Sequence, residues 1–99
     1  MAIIYHITTK NEWEAACTTG AYTAPSLKEE GFIHCSREEQ VAGVLERYFA
    51  GKTNLLKLVI DTAKLQSRLV EEMAPSVGET FPHIYGSINT TAVIAVEAI

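Results

Sequence analysis

The sequence has no long hydrophobic run, no cluster of basic residues and only two cysteines. A membrane helix needs about 20 consecutive apolar residues, so none is predicted. The chain opens directly into Ile3-Ile4-Tyr5 with no basic segment before it, and we expect no signal peptide. Two cysteines without zinc-type spacing do not make a disulfide framework, which favours reduced thiols and a cytoplasmic location.

The charge pattern limits the partners. The chain carries 8 basic and 12 acidic residues, a net charge of −4, and its basic residues are dispersed. Phosphate contacts dominate the affinity of nucleic-acid-binding proteins, which therefore carry a basic stripe. Binding to duplex nucleic acid or to a membrane is not expected. A small anionic ligand is compatible with the sequence, because a few cations or backbone amides suffice to hold one.

Strand and helix patterns alternate along one predicted domain, residues 1–99. Strands are predicted at residues 3–8, 32–35, 55–61, 69–71, 81–86 and 92–98, with 55–61 as the central strand. A capping box at Thr9 starts one helix, which ends near Gly20, and a second box at Ser36 starts another, which runs to about Ala50. Strands outnumber helices, which predicts a small α+β domain with a mixed or antiparallel sheet and two main helices.

Each of the three histidines stands two residues before a hydroxyl group. The pairs are His6 with Thr8, His34 with Ser36, and His83 with Tyr85. Residues i and i+2 of a strand point to the same face, so each segment can present an imidazole and a hydroxyl together. The pattern predicts that the three imidazoles line one shared polar site. The alternative is three unrelated strand histidines, each satisfied by a local hydrogen bond.

Two other chemistries use the same residues. Three histidines with an open position make a catalytic zinc ligand set, although no local pair such as His-x-x-x-His is present. Cys35 follows His34, but neighbouring strand residues point to opposite faces, so His34 is badly placed to act as its base. Cys35 is therefore predicted to be a small buried apolar group.

Two glutamates precede the third histidine. A carboxylate from Glu71 or Glu72 near His83 can stabilise an oxocarbenium-like cation or orient a nucleophile. The alternative is that both glutamates belong to a solvated strand end. Tyr85 shares the side of His83, and Gly86 after it allows a ligand to come close. The sequence thus favours the His83–Tyr85 pair as part of a site.

Several motifs occur in order along nearly the whole chain. They are Tyr5-His6-Ile7-Thr8, Tyr22-x-x-Pro25-Ser26-Leu27, Gly31-Phe32-Ile33-His34-Cys35-Ser36, Ile60-Asp61 and Phe81-Pro82-His83-Ile84-Tyr85-Gly86. With these motifs the chain resembles the bacterial domain-of-unknown-function 952 family. The resemblance implies a fold similar to the catalytic domain of ADP-ribosyltransferases, and NAD as a ligand or substrate.

The resemblance also implies residue roles. His6 matches the residue that grips the nicotinamide-side ribose, and His34 with Ser36 matches the polar position of the second strand. The third position falls to a glutamate or to the His83–Tyr85 pair, with Glu71 as the choice and Glu72 as the alternative. The predicted catalytic residues are Glu71, His83 and Tyr85. The predicted nucleotide-binding residues are His6, Thr8, His34, Ser36, His83 and Tyr85.

Three functions stay open at this point. The first is an ADP-ribosyltransferase-like domain that binds NAD or an ADP-ribose derivative and cleaves the nicotinamide–ribose bond. The second is a non-catalytic sensor that binds a small-molecule nucleotide in the same cleft. The third is a metal-dependent hydrolase built on the three histidines. The sequence does not choose between an enzyme and a binding module, and it leaves the oligomeric state open.

Overall fold

The fold consists of eight strands and three helices, in a computed structural model that describes residues 2–99. Three single 3-10 turns, Glu38–Gln40, Thr62–Lys64 and Thr90–Ala92, join some of these elements. The strands and helices, in chain order, are β1 Ile3–Thr9, α1 Lys10–Thr19, β2 Ala21–Tyr22, α2 Pro25–Glu30, β3 Ile33–His34, α3 Val41–Tyr48, β4 Leu55–Asp61, β5 Arg68–Ala74, β6 Glu79–Tyr85, β7 Ile88–Asn89 and β8 Val93–Ala98.

The strands form three small antiparallel sheets. One sheet has the order β1-β4-β8, the second pairs β2 with β7, and the third has the order β3-β6-β5. The predicted α+β class is confirmed, and β4 occupies the predicted central position of its sheet. The single sheet that we expected is wrong for the described residues, because its strands divide among three separate sheets.

The first of the two longer helices begins where the sequence places it, and the second begins later. The Thr9 hydroxyl accepts a hydrogen bond from the Glu12 amide at 3.2 Å, as the capping box predicts, and left-handed Gly20 ends α1 at the predicted place. The second predicted helix, from the box at Ser36 to about Ala50, is shorter in the structure: it starts one residue later as the 3-10 turn Glu38–Gln40, and the α-helix itself, α3, covers Val41–Tyr48. The cap of this turn is Arg37, whose amide donates to Oε1 of Gln40 at 2.9 Å, so Ser36 stays in extended backbone.

The core lies where the first and third sheets meet α1 and the short β2–β7 pair. Its fully buried apolar side chains include Tyr22, Ile33, Leu58, Ile60, Ile84 and Ile88. Cys35 belongs to this core, as predicted, and burial raises the pKa of its thiol. An inert buried thiol leaves no nucleophile beside His34.

Backbone contacts join the first sheet to the third. Tyr5 and Ser36 form an isolated antiparallel bridge, with N–H···O distances of 2.8 and 2.7 Å. The Ser36 residue is 5% exposed, so its hydroxyl lies inside the molecule. The bridge holds the end of β3 against β1, so it sets the position of the third sheet relative to the first. Among residues 2–99, no helix has the length and apolar content to cross a membrane.

Candidate functional site

One face of the third sheet gathers most of the predicted site residues. His34 of β3 pairs directly with His83 of β6, and β5 places Glu72 and Arg68 on the same face. The His34 and His83 ring centroids are 5.1 Å apart. Tyr85 lies on this face two residues after His83, as the i, i+2 pattern predicts. Two of the three predicted histidine–hydroxyl segments therefore contribute to one surface.

A phenylalanine that the sequence reasoning did not assign to the site completes this surface. The Phe32 ring stacks on the His83 ring with centroids 4.2 Å apart, and it lies 4.8 Å from His34 and 5.4 Å from Tyr85. The signal was available, because Phe32 precedes His34 by two residues and so shares its side. We call these four residues, Phe32, His34, His83 and Tyr85, the aromatic cluster.

Two carboxylates accept hydrogen bonds from side chains of the aromatic cluster. Oε1 of Glu72 accepts hydrogen bonds from Nδ1 of His83 at 2.8 Å and from the Tyr85 hydroxyl at 2.5 Å. Donation from Tyr85, and then from His83, holds the pKa of the Glu72 carboxyl below its usual value. The same carboxylate raises the pKa of the Tyr85 hydroxyl. On the other side, Nε2 of His34 donates to Oε2 of Glu30 at 2.8 Å.

His83 combines burial with an open nitrogen. The residue is only 6% exposed, and its Nδ1 is committed to Glu72. Its Nε2 has no hydrogen-bond partner within residues 2–99. In that part of the chain, every side-chain nitrogen or oxygen atom that is buried does have a hydrogen-bond partner. Nε2 therefore reaches the surface. In the neutral imidazole this atom is an acceptor, because the proton sits on Nδ1.

Glu71 does not join the cluster, which corrects our choice of that residue. Successive residues of a strand point to opposite faces, so Glu71 faces away from His83 when Glu72 faces toward it. Glu71 accepts instead from Nη1 of Arg37 at 3.1 Å, and the same guanidinium nitrogen donates to the Thr80 carbonyl. The carboxylate beside His83 and Tyr85 is Glu72, the alternative that the sequence left open.

His6 occupies a different environment from the other two histidines. It lies on the core-facing side of β1 and is 8% exposed. Its Nδ1–H donates to the carbonyl of His34 at 2.6 Å, and its Nε2 lies 2.8 Å from the Tyr22 hydroxyl. Burial lowers the pKa of His6 to about 4, so the ring is neutral near pH 7.

The tautomer of His6 fixes the direction of its hydrogen bonds. A carbonyl only accepts, so the single proton of the neutral ring is on Nδ1 and Nε2 must accept. The Tyr22 hydroxyl therefore donates to Nε2 of His6. The Thr8 hydroxyl, 2.7 Å from that of Tyr22, donates to it in turn. Tyr22 and Thr8 are almost fully buried, so this chain of three polar groups is closed off from solvent.

The three imidazoles thus do not share one surface. The His34 and His83 rings contact each other. His6 lies in the interior, where it donates a hydrogen bond to the backbone carbonyl of His34. The expectation that His6 faces the same pocket is corrected for this reason: both of its nitrogens have partners within the protein. The placement of Thr8 and Ser36 is also internal. Their predicted contacts with a nucleotide stay predictions, without an exposed hydroxyl to support them.

The same geometry argues against the hypothesis that the three histidines bind one metal ion. Its ligand set requires three imidazole nitrogens that point to one position, and His6 offers none. Across residues 2–99, no group of three or more histidine, cysteine, aspartate or glutamate side chains is arranged to hold a metal ion. The chemistry that the cluster does offer is a carboxylate-backed imidazole acceptor beside exposed aromatic rings.

Comparisons with known proteins agree with the fold. The most similar structures include the crystal structure of protein CC0527 from Caulobacter crescentus, which is 30% identical with a TM-score of 0.87, over 96% of this chain and 83% of that chain. The solution NMR structure of CC0527 has a TM-score of 0.84 at 30% identity, over 100% of this chain and 85% of that chain. No curated protein matches. Residues 7–96 match the family described as "Protein of unknown function (DUF952)", and the chain belongs to that family.

Proposed function

We propose that this protein binds NAD or a related ADP-ribose compound on the aromatic cluster. The observation that carries the proposal is the open Nε2 of His83, a nearly buried acceptor held in place by Glu72. Ribose hydroxyls and a carboxamide both donate hydrogen bonds to such an acceptor. Tyr85, which is 40% exposed, supplies an accessible ring for contact with a flat base. The resemblance of the sequence motifs to those of ADP-ribosyltransferases supports this choice of ligand.

Arg68 gives this face a cation for the phosphate groups. It pairs with Tyr85 across the strands, and it is close enough to help lower the pKa of Glu72. A guanidinium can hold a phosphate through two parallel hydrogen bonds. A ligand whose flat ring is joined through a ribose to a pyrophosphate therefore finds partners for both the ring and the pyrophosphate along β5 and β6.

The same geometry supports cleavage of the nicotinamide–ribose bond. Glu72 places a negative charge against Nδ1 of His83, and in this proposal that charge favours the cation that develops on the ribose. Nε2 of His83 takes a proton from the attacking water. The water oxygen bonds to the ribose carbon, the bond to nicotinamide breaks, and its electron pair leaves with the neutral nicotinamide. In this proposal Glu72 has the role first given to Glu71, and Tyr85 positions its carboxylate.

Ligand-dependent thermal stability tests the proposal. A ligand that binds only the folded state stabilises it by about 2.7 kcal/mol at a hundredfold excess over its dissociation constant. For a domain of this size that is on the order of 10 °C in melting temperature. NAD, ADP-ribose and nicotinamide would each be titrated to millimolar concentration. We expect NAD or ADP-ribose to raise the melting temperature, and His83→Ala to abolish that shift.

The neighbouring glutamates provide a matched pair of variants. Glu72→Gln should remove nicotinamide release from NAD, whereas Glu71→Gln, on the opposite face of the same strand, should leave it unchanged. No shift with any of the three ligands would overturn the nucleotide proposal. Binding by the wild type without nicotinamide release would instead assign the site to a sensor. Equal loss of release in both glutamate variants would remove Glu72 from its proposed role.

A further inference from the structure

The outer edge of β8 has no strand beside it within residues 2–99. The first sheet has the order β1-β4-β8, so β8 pairs with β4 on one side only. At the opposite edge of this sheet, Tyr5 of β1 exchanges backbone hydrogen bonds with Ser36. An uncovered strand edge presents N–H and C=O groups that another strand can bind. The first sheet can therefore be extended at β8.

The register of β8 with β4 identifies the backbone groups at this edge. The Ile99 amide donates to the carbonyl of Leu55 at 3.3 Å. Hydrogen bonding alternates along an antiparallel strand, so the backbone of Glu97 also bonds to β4. The N–H and C=O groups of Val96 and Ala98 then point away from β4. These two residues supply the donors and acceptors of the outer edge.

The charges of β8 do not protect this edge. Natural edge strands are commonly guarded by lysine, proline or several charged side chains. The edge strand β5 of the third sheet follows this rule, with Arg68, Glu71 and Glu72. β8 has one charged residue, Glu97, whose carboxylate accepts from Nζ of Lys57 on the neighbouring strand at 3.0 Å. The charge that could repel another strand is thus balanced within the sheet.

Apolar side chains are exposed along the same strand. Ile94, Val96 and Ile99 are 45%, 40% and 55% exposed. Val96 pairs with the fully buried Leu58, and paired residues point to the same face, so Val96 lies on the core side of the sheet. The protein leaves this part of the core side open to solvent. A second apolar strand beside β8 would remove the exposed surface from water.

We propose that two copies of this protein associate through β8. The two strands lie antiparallel across a two-fold axis, with each Val96 opposite the same residue of the other copy. Identical antiparallel strands are self-complementary, because a residue at the axis exchanges both of its hydrogen bonds with its symmetry mate. The association joins two three-stranded sheets into one. The aromatic cluster lies on the third sheet, so this interface is separate from the proposed ligand site.

The charge of Glu97 selects this register. With Val96 at the axis, Glu97 lies opposite Ala95 of the other copy, and the two carboxylates are not paired. A register centred on Glu97 would also use the outward groups of Val96 and Ala98. It would place two carboxylates directly opposite each other, and like charges at such positions are destabilising. A second copy therefore fits the edge in the register centred on Val96.

The mass of the protein in solution tests the association. Sedimentation equilibrium would measure it over about a hundredfold range of protein concentration. One strand makes a small contact compared with the about 800 Å² per partner of typical specific interfaces, so we expect a monomer–dimer equilibrium that shifts with concentration. Val96→Lys should keep the protein monomeric throughout, because an edge lysine opposes pairing. Met73→Lys, at an exposed position of the edge strand β5, is the matched control and should dimerise like the wild type.

A proline variant tests the backbone contribution. Val96→Pro removes an N–H that points outward and leaves the hydrogen bonds between β4 and β8 in place. It should weaken the dimer by about tenfold or more, because each copy loses a donor at the axis. Urea unfolding would show that the lysine and proline variants are folded at the concentrations used.

Cysteine cross-linking tests the register without either of these substitutions. The exposed Cys17 would first be replaced by serine. Val96→Cys then places two thiols on residues whose Cα atoms are about 5.5 Å apart across the axis, which a disulfide can bridge. We expect oxidation to link two copies through Val96→Cys much faster than through Glu97→Cys.

Three results would overturn the proposal. The first is a monomeric mass for the wild type at every concentration. The second is a dimer that persists in folded Val96→Lys and Val96→Pro, because a different surface would then join the copies. The third is faster cross-linking through Glu97→Cys than through Val96→Cys. A dimer that is lost in both Val96 variants, retained in Met73→Lys and linked through Val96→Cys would confirm it.

Discussion

His6 is held neutral in the folded protein, because burial lowers its pKa from 6.5 to about 4. In the unfolded chain this imidazole titrates near 6.5. Between these two values the unfolded state binds more protons than the folded state, so the free energy of unfolding decreases as the pH falls. The stabilisation that neutral His6 contributes is fully present above pH 6.5 and is lost progressively as the pH falls to about 4. His6→Asn should remove this dependence, because asparagine does not titrate.

The size of the effect follows from the two pKa values. One pKa unit corresponds to about 1.4 kcal/mol, so His6 accounts for about 3 kcal/mol between neutral pH and pH 4. About 2 kcal/mol of this is already lost near pH 5, which lowers the melting temperature by roughly 10 °C. The asparagine amide can still donate to the His34 carbonyl, as Nδ1 does. Its loss of the contact with Tyr22 does not depend on pH in this range.

Urea unfolding followed by the fluorescence of Trp13 measures the effect, at several pH values between about 7.5 and 5. The quantity compared is the change in unfolding free energy with pH, and not the stability at any one pH. The wild type should lose about 2 kcal/mol more than His6→Asn across this range. Glu72 does not interfere, because its lowered pKa confines its contribution to more acidic solutions. Equal pH dependence in the two proteins would refute the assignment.

Three further substitutions are expected to have measurable effects. Gly86→Ala should destabilise the protein by about 2 kcal/mol in urea unfolding, because φ is 151° and the new Cβ would clash with Oγ of Ser67; a loss below about 0.5 kcal/mol would contradict this. Tyr22→Phe leaves two buried polar atoms without their partner and should cost about 2–4 kcal/mol in urea unfolding, whereas Tyr85→Phe at an exposed position should have a much smaller effect on stability. Tyr85→Phe should also raise the pKa of the Glu72 carboxyl toward its ordinary value, which a carboxyl NMR titration would detect; an unchanged pKa would show that Tyr85 is not its main donor.

Local sequence patterns predicted much of the secondary structure. Leu55–Asp61 was predicted with its observed bounds, because a mostly apolar run, interrupted here only by Lys57 and flanked by polar residues, is typical of a central strand. The Thr9 cap follows from a local side-chain contact and was also correct. The strands Ala21–Tyr22 and Ile88–Asn89 were missed, because two residues are too few to show any periodicity. They exist because the core buries Tyr22 and Ile88.

The site was predicted less completely, because it depends on register and distant partners. Choosing between Glu71 and Glu72 requires knowing which residue of β5 lies opposite His83, and a shift of one residue exchanges the two faces. The sequence contains both glutamates but not that register. The burial of His6 depends on Tyr22, a partner that no local pattern connects to it. The position of His83 and Tyr85 on the same face of β6 follows from strand alternation alone, and it was predicted.

Every sheet of this protein takes strands from both halves of the chain. β1 pairs with β4, β2 with β7, and β3 with β6, so residues far apart in sequence must meet before any sheet is complete. Chains dominated by such distant contacts fold slowly, because closing the long loops costs conformational entropy before the stabilising contacts can form. During synthesis His34 emerges long before His83, and the cluster forms only after β6 has left the ribosome. Until then the β3 residues Ile33 and His34 have no strand to pair with, and an unpaired segment of this kind is prone to aggregation.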